Sequence, residues 1–113
     1  MALLMESSMI NSFSNTNNEI VKNYFNTNKS SFKVILEINY GPYWGVRLTN
    51  GEIEIHISGD IGFEIEIFIN NSKYSLWQYD RSVNNAMKTS DDNIHYQLNI
   101  LNNFLSDSDK KSN

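Results

Sequence analysis

The residues whose types could carry chemistry are His56 and the glutamates around it, Glu54, Glu64 and Glu66. An imidazole beside carboxylates is a metal donor set. Two carboxylates such as Glu54 and Glu66 are also what glycoside hydrolysis uses. Neither reading is supported by the rest of the chain. The second histidine, His95, lies far away and in another element, so the donor set stays thin. The carboxylate pair would need a cleft, and the turns are too short to build one. There is no cysteine nucleophile. The glycines at 41–45 and 59–62 lack the spacing of a phosphate loop, and no Gly-x-Ser-x-Gly elbow occurs. The expectation is a protein that is not an enzyme and holds no metal or cofactor.

The stretch that positions these residues runs from Trp44 to Ile69. Apolar and polar residues alternate through it, the pattern of strands with one dry and one wet face. Asn50-Gly51 is a strong hairpin signal. With those two as the loop, Leu48 faces Ile53, Arg47 faces Glu54, Val46 faces Ile55 and Trp44 faces Ile57. A three-residue loop Gly59-Asp60-Ile61 then sets Ile57 opposite Phe63 and Ile55 opposite Ile65. Asn70-Asn71 closes another hairpin, with Ile67 opposite Tyr74 and Ile65 opposite Leu76. On the far face this register puts Glu54 opposite Glu66, His56 opposite Glu64, and Glu52 beside Phe68, with Trp77 and Tyr79 joining from the next strand. Arg47 is the one cation it places there. Like charges directly opposite one another are destabilising. Such a face is either a solvated surface that resists aggregation or an acidic docking face with aromatic anchors for a basic partner.

The remaining elements follow from the same reasoning. A helix is expected over 16–26, capped by Thr16 or Asn17, with Glu19 in the first turn and Ile20, Val21, Tyr24 and Phe25 on its apolar side. Phe32 to Asn39 reads as the first strand. The turn Tyr40-Gly41-Pro42-Tyr43 ends it. The cluster Tyr40, Tyr43, Trp44 either seals the sheet end or forms a binding edge. The sheet is expected to span 32–79. After a polar connection and a short piece carrying Ala86 and Met87, Ser90 caps a second helix over 90–106, with Asp91 and Asp92 in its first turn. Ile94, Leu98, Leu101 and Leu105 form its stripe. Residues 107–113 read as a flexible tail. At the other end, 1–15 is a weak amphipathic helix built on Leu3, Leu4, Met9, Ile10 and Phe13, or an extended segment. Its apolar run is too short for a signal peptide, and Met5 and Met9 are alternative starts.

The fold class expected is therefore α+β. A five-stranded antiparallel meander, open or curved into a half-barrel, carries an N-terminal and a C-terminal helix on its Ile-rich face. A chain of 113 residues makes a single domain. It has no cysteine and a formal net charge of −4. The first excludes disulfides and thiolate metal sites and fits a reducing, cytoplasmic setting. The second argues against nucleic-acid binding, which draws on Lys and Arg facing phosphates. No stretch is long and apolar enough to span a membrane.

The run Gly41-Pro42-Tyr43-Trp44-Gly45-Val46-Arg47-Leu48, followed by Asn50-Gly51-Glu52-Ile53-Glu54-Ile55, resembles the small antitoxins of bacterial toxin–immunity pairs. It is most similar to the immunity proteins of contact-dependent growth inhibition systems. The resemblance implies a cytoplasmic, non-catalytic inhibitor. Its partner would be the C-terminal domain of a cognate toxin, commonly a basic nuclease, with a ribonuclease favoured. It transfers no binding residue. The face argument alone nominates Glu37, Glu52, Glu54, His56, Asp60, Glu64, Glu66, Phe68, Trp77 and Tyr79 as toxin-binding. A monomer with no direct nucleic-acid or membrane contact is expected. Two other classes compete: a small acidic secretion chaperone or adaptor using the Ile94–Leu105 stripe, and a small-molecule-binding half-barrel with its ligand on the Ile face.

Overall fold

The alternation from Tyr43 to Ile69 is realised as three consecutive strands in a computed structural model that describes residues 16–83 and 88–112. Helix α1 covers 16–28 of the described residues. It is followed by β1 (Lys33–Tyr40), β2 (Tyr43–Thr49), β3 (Ile53–Gly59), β4 (Phe63–Ile69), β5 (Ser72–Ser75), a one-turn helix α2 (Leu76–Tyr79) and a long helix α3 (Asp91–Ser112). The strands lie side by side in chain order, all antiparallel. β1 and β5 are the two edge strands and do not meet, so the sheet is open and not closed into a barrel.

One face of this sheet is dry. Trp44, Val46, Leu48, Ile53, Ile55, Ile57, Phe63, Ile65 and Ile67 are all buried. They form one cluster with Val21 and Phe25 of α1 and with Ile94, Leu98, Leu101 and Leu105 of α3. Both helices thus cover the Ile-rich face, burying the apolar side that each presents at helical spacing. Tyr24 of α1 ties to α3 through its hydroxyl, which donates to Asn99 Oδ1 at 2.8 Å. Burial pushes the Tyr24 phenol above its ordinary range.

Two of the three expected hairpin registers are displaced by two residues. Leu48 pairs with Ile55 and Val46 with Ile57, not with Ile53 and Ile55. Ile57 pairs with Ile65 and Gly59 with Phe63. The turns explain both shifts. A two-residue primed turn needs positive φ at both central positions. Gly51 supplies it at +99°, but Asn50 does not. Instead the Asn50 side chain folds over the turn, and its Oδ1 accepts the N–H groups of Glu52 and Ile53 at 2.9 and 2.8 Å. This Asx arrangement widens the loop. In the next turn the Asp60 N–H donates to Gly62 O at 2.8 Å, drawing Gly59 into the strand. A shift of two keeps every side chain on its expected face. Asn70 and Asn71, at φ 50° and 67°, do make the two-residue turn, and Ile67 faces Tyr74 as the sequence indicates.

Several element boundaries differ from expectation, among them the end of α1, which runs to 28 where 26 was expected. The final strand stops at Ser75 rather than continuing to Tyr79. The Ser75 N–H donates to Gln78 Oε1 at 2.8 Å, the reciprocal arm of a capping box, and turns the chain into α2. Helix α3 runs on through Ser112 where a tail was expected from 107. Its start is as expected: Ser90 Oγ accepts the Asn93 N–H at 3.1 Å, with Asp91 and Asp92 in the first turn. Thr16 and Asn17, expected as caps, are already helical. The readings for 1–15 and for the piece carrying Ala86 and Met87 lie outside the described residues. No helix among the described residues is long and apolar enough to cross a membrane.

Candidate docking face

Among the described residues no helix covers the second face of the sheet. Its central row is Arg47, His56, Glu66 and Ser75, paired across β2 to β5. A flanking row is Thr49, Glu54, Phe68 and Lys73, and on the other side lie Gly45, Ser58 and Glu64. Glu54 and Glu66, expected to oppose each other, do not: the two-residue shift sets Phe68 against Glu54 and His56 against Glu66. His56 is half-buried. Its Nε2 lies 2.5 Å from Glu54 Oε2, and its ring packs against Phe68 with centroids 4.4 Å apart. Lys73 Nζ lies 3.1 Å from Glu66 Oε2. Alternation along β5 puts Lys73 on this face, so Arg47 is not its only cation. Glu64 is exposed and makes no ion pair among the described residues.

The glutamates of β3 and β4 therefore do share one open face, but three of the nominated residues stand apart from it. Glu37 is on the helix side. The β1–β2 register slips between Val34 and Leu36, so Ile35 is an extra residue in β1. Such a bulge reverses which face the following residues occupy. Glu37 then faces α1, where its carboxylate pairs with Lys22 at 3.2 Å and accepts from Asn18 Nδ2 at 3.5 Å. Asn18 is fully buried and also donates to Asn39 Oδ1 at 3.0 Å. Glu19 and then Glu37 hold the Lys22 ammonium above its ordinary pKa. Tyr79, on α2, turns toward α3. Its hydroxyl donates to Asp107 Oδ2 at 2.6 Å, which pushes the phenol up, and its ring meets Phe104 edge-on at 5.2 Å. Trp77 is exposed on α2, outside the sheet. The remaining nominees, Glu52 in the Asn50 turn and Asp60 in the next, are exposed at opposite ends of β3.

The cluster Tyr40, Tyr43 and Trp44 divides between the two roles open to it. Trp44 seals: it is buried and packs on Phe63 at 5.7 Å between centroids. Tyr40 and Tyr43 pair across the two-residue turn Gly41-Pro42 and are 79% and 52% exposed. They border a groove of about 790 Å³, which also takes in Ile38, Ser58, Asp60, Phe63 and Glu64. The groove lies where the open face meets the β1–β2 and β3–β4 turns. The sequence named its aromatics, but nothing in it joined them to Asp60 and Glu64, because that juxtaposition depends on the pairing of β1, β2, β3 and β4.

Among the described residues no three His, Asp or Glu side chains converge as ligands for a metal. The open face offers separated carboxylates, two fixed cations and a few half-buried rings, an arrangement suited to recognition by charge and contact. Comparison with protein-family models, with curated proteins and with solved structures finds no match.

Proposed function

We propose that this chain is an immunity protein: a non-catalytic inhibitor that binds the toxic domain of a cognate bacterial toxin, a basic nuclease and most simply a ribonuclease, and covers its active site. One observation carries the reading. A sheet face that both helices leave open bears Glu54, Glu64 and Glu66, bordered by Glu52 and Asp60. Carboxylates so arranged complement the Lys and Arg with which a nuclease holds phosphates. They also speed encounter with a basic partner. Phe68 and His56, packed together with their rings tilted at 45°, supply a ring patch for the middle of the interface. The resemblance of residues 41–55 to antitoxins supports the same class, and a formal net charge of −4 suits an inhibitor of a cationic enzyme.

The test is co-expression with the toxin domain encoded beside this chain, read as growth rescue, followed by calorimetry on the purified pair. The double variant Glu54→Lys, Glu66→Lys is expected to lose rescue and to weaken binding by roughly a hundredfold or more, as for removed interfacial charge pairs. Its melting temperature should fall only modestly, since partly exposed ion pairs contribute about 0–1 kcal/mol. Binding within about threefold of wild type would exclude this face, because one reversed interfacial charge alone exceeds that.

A further inference from the structure

We infer that the groove at the turn end of the open face is an arginine-reading site, which receives the guanidinium side chain of a protein partner between Tyr40, Tyr43 and the carboxylates of Asp60 and Glu64. The proposal deepens the docking reading above and rests on it for the identity of the partner as a basic protein.

Two observations lead there. Tyr40 and Tyr43 are directly paired and more than half exposed, and neither ring pairs with another aromatic ring among the described residues. Large exposed rings set side by side at a groove mark a contact surface more than a sealed sheet end. Asp60 and Glu64 line the same groove, make no ion pair among the described residues, and have no Lys or Arg beside them in its wall. Neither carboxylate is ion-paired among the described residues, the cation Lys88 joining this end only through its backbone bridge to Gly62, whereas Glu54 and Glu66 further along have His56 and Lys73 as neighbours. Trp44 is buried under the groove, and its indole N–H has no hydrogen-bond partner among the described residues, so it is a sensitive reporter of changes there.

Charge and shape select the occupant. Carboxylates exclude a phosphate-bearing ligand. A guanidinium stacks flat on an aromatic ring and forks onto a carboxylate, and an ammonium does neither as well. The groove's volume of about 790 Å³ admits an arginine with its flanking backbone.

The experiment is a ¹H–¹⁵N NMR titration of the full chain with N-acetyl-Gly-Arg-Gly-amide, following the Trp44 indole N–H and the backbone amides of Tyr43 and Asp60. The neutral isostere N-acetyl-Gly-citrulline-Gly-amide and free L-arginine are run in parallel. Saturable shifts with a Kd on the order of a millimolar are expected for the arginine peptide. Citrulline should bind about tenfold more weakly or worse, because it lacks the charge that cation–π and ion-pair contacts use. Asp60→Asn with Glu64→Gln, both exposed, should abolish the discrimination without changing the fold. Equal shifts for the arginine and citrulline peptides, or none, would overturn the site. Tighter binding of free arginine than of the capped peptide would make it a metabolite site and overturn the protein partner. In the toxin assay, Tyr40→Ala with Tyr43→Ala should weaken binding by about tenfold or more, as for other aromatic anchors. Full binding by that variant, alongside loss in Glu54→Lys, Glu66→Lys, would refute the groove and leave the docking face standing.

Discussion

Gly59 has no room for a side chain. A Cβ there would sit 2.2 Å from Gly62 O and 2.5 Å from Phe63 Cβ, inside the turn that joins β3 to β4. The neighbours are backbone and a residue of the core, so neither can yield cheaply. Gly59→Ala should cost about 1–3 kcal/mol, the usual range for an overpacked site, read as a lowered urea midpoint at unchanged slope. Gly51 differs in kind. Nothing lies within 4 Å of its missing Cβ, and its constraint is the +99° φ. Of these two glycines, only Gly51 could be read from the sequence, from the turn signal around it. Gly59 looked like one more loop residue, because its crowding arises only once the Asp60–Gly62 hydrogen bond has drawn the turn tight. At the candidate site the same division holds. Glu54, Glu64, Glu66 and Phe68 were legible because parity along a strand survives a slip of two residues. Their partners were not, because each depends on the slip itself.

At the scale of elements, the local signals that were missed are as instructive as those that were read. Ser75-Leu76-Trp77-Gln78 could extend β5 with Leu76 on the dry face, yet Ser75 and Gln78 stand at capping-box spacing, and the cap prevails. That single turn removes Trp77 and Tyr79 from the sheet. The bulge at Ile35 left a weaker mark: Val34-Ile35-Leu36 breaks the alternation of the strand, but only its pairing with β2 shows which residue is extra. Its consequence is testable through Glu37, which belongs to the contact between β1 and α1 and not to the docking face. Glu37→Gln should leave toxin binding unchanged and lower stability at neutral pH by under about 1 kcal/mol, the size of a partly exposed ion pair. The sign of the pH dependence follows from Lys22. Its folded pKa is raised above the ordinary lysine value, so the stabilisation is fully present below that ordinary value. It is lost as pH rises through the raised one. The gap between wild type and Glu37→Gln in urea unfolding should therefore close in strongly alkaline buffer. A gap that persists there would mean that Glu37 acts by packing and not by charge.

For the molecule as a whole, the two sheet faces divide the labour. One is closed by α1 and α3 over an isoleucine core, and the other is left to solvent with its charges mixed. For an inhibitor of the kind proposed, that mixing would tune the speed of docking. Lys73 stands 3.1 Å from Glu66, and Arg47 lies across β3 from it, so the field that a distant cationic partner meets is weaker than the carboxylates alone would make it. On the proposed function, part of the association rate would be given up to relieve repulsion within the sheet. Removing one cation should restore it. Lys73→Gln is expected to raise the association rate with the toxin domain by roughly two- to threefold at low ionic strength, since steering responds to the net charge of the face. The gain should shrink toward nothing near 1 M salt, where the Debye length falls to about 3 Å. The dissociation rate should move little, because Lys73 is exposed at the margin of the sheet, on the short final strand. Stopped-flow association at several salt concentrations separates the two rates. A slower or unchanged association for Lys73→Gln at low salt would mean that the partner approaches some other surface, whatever Glu54 and Glu66 contribute once it has bound.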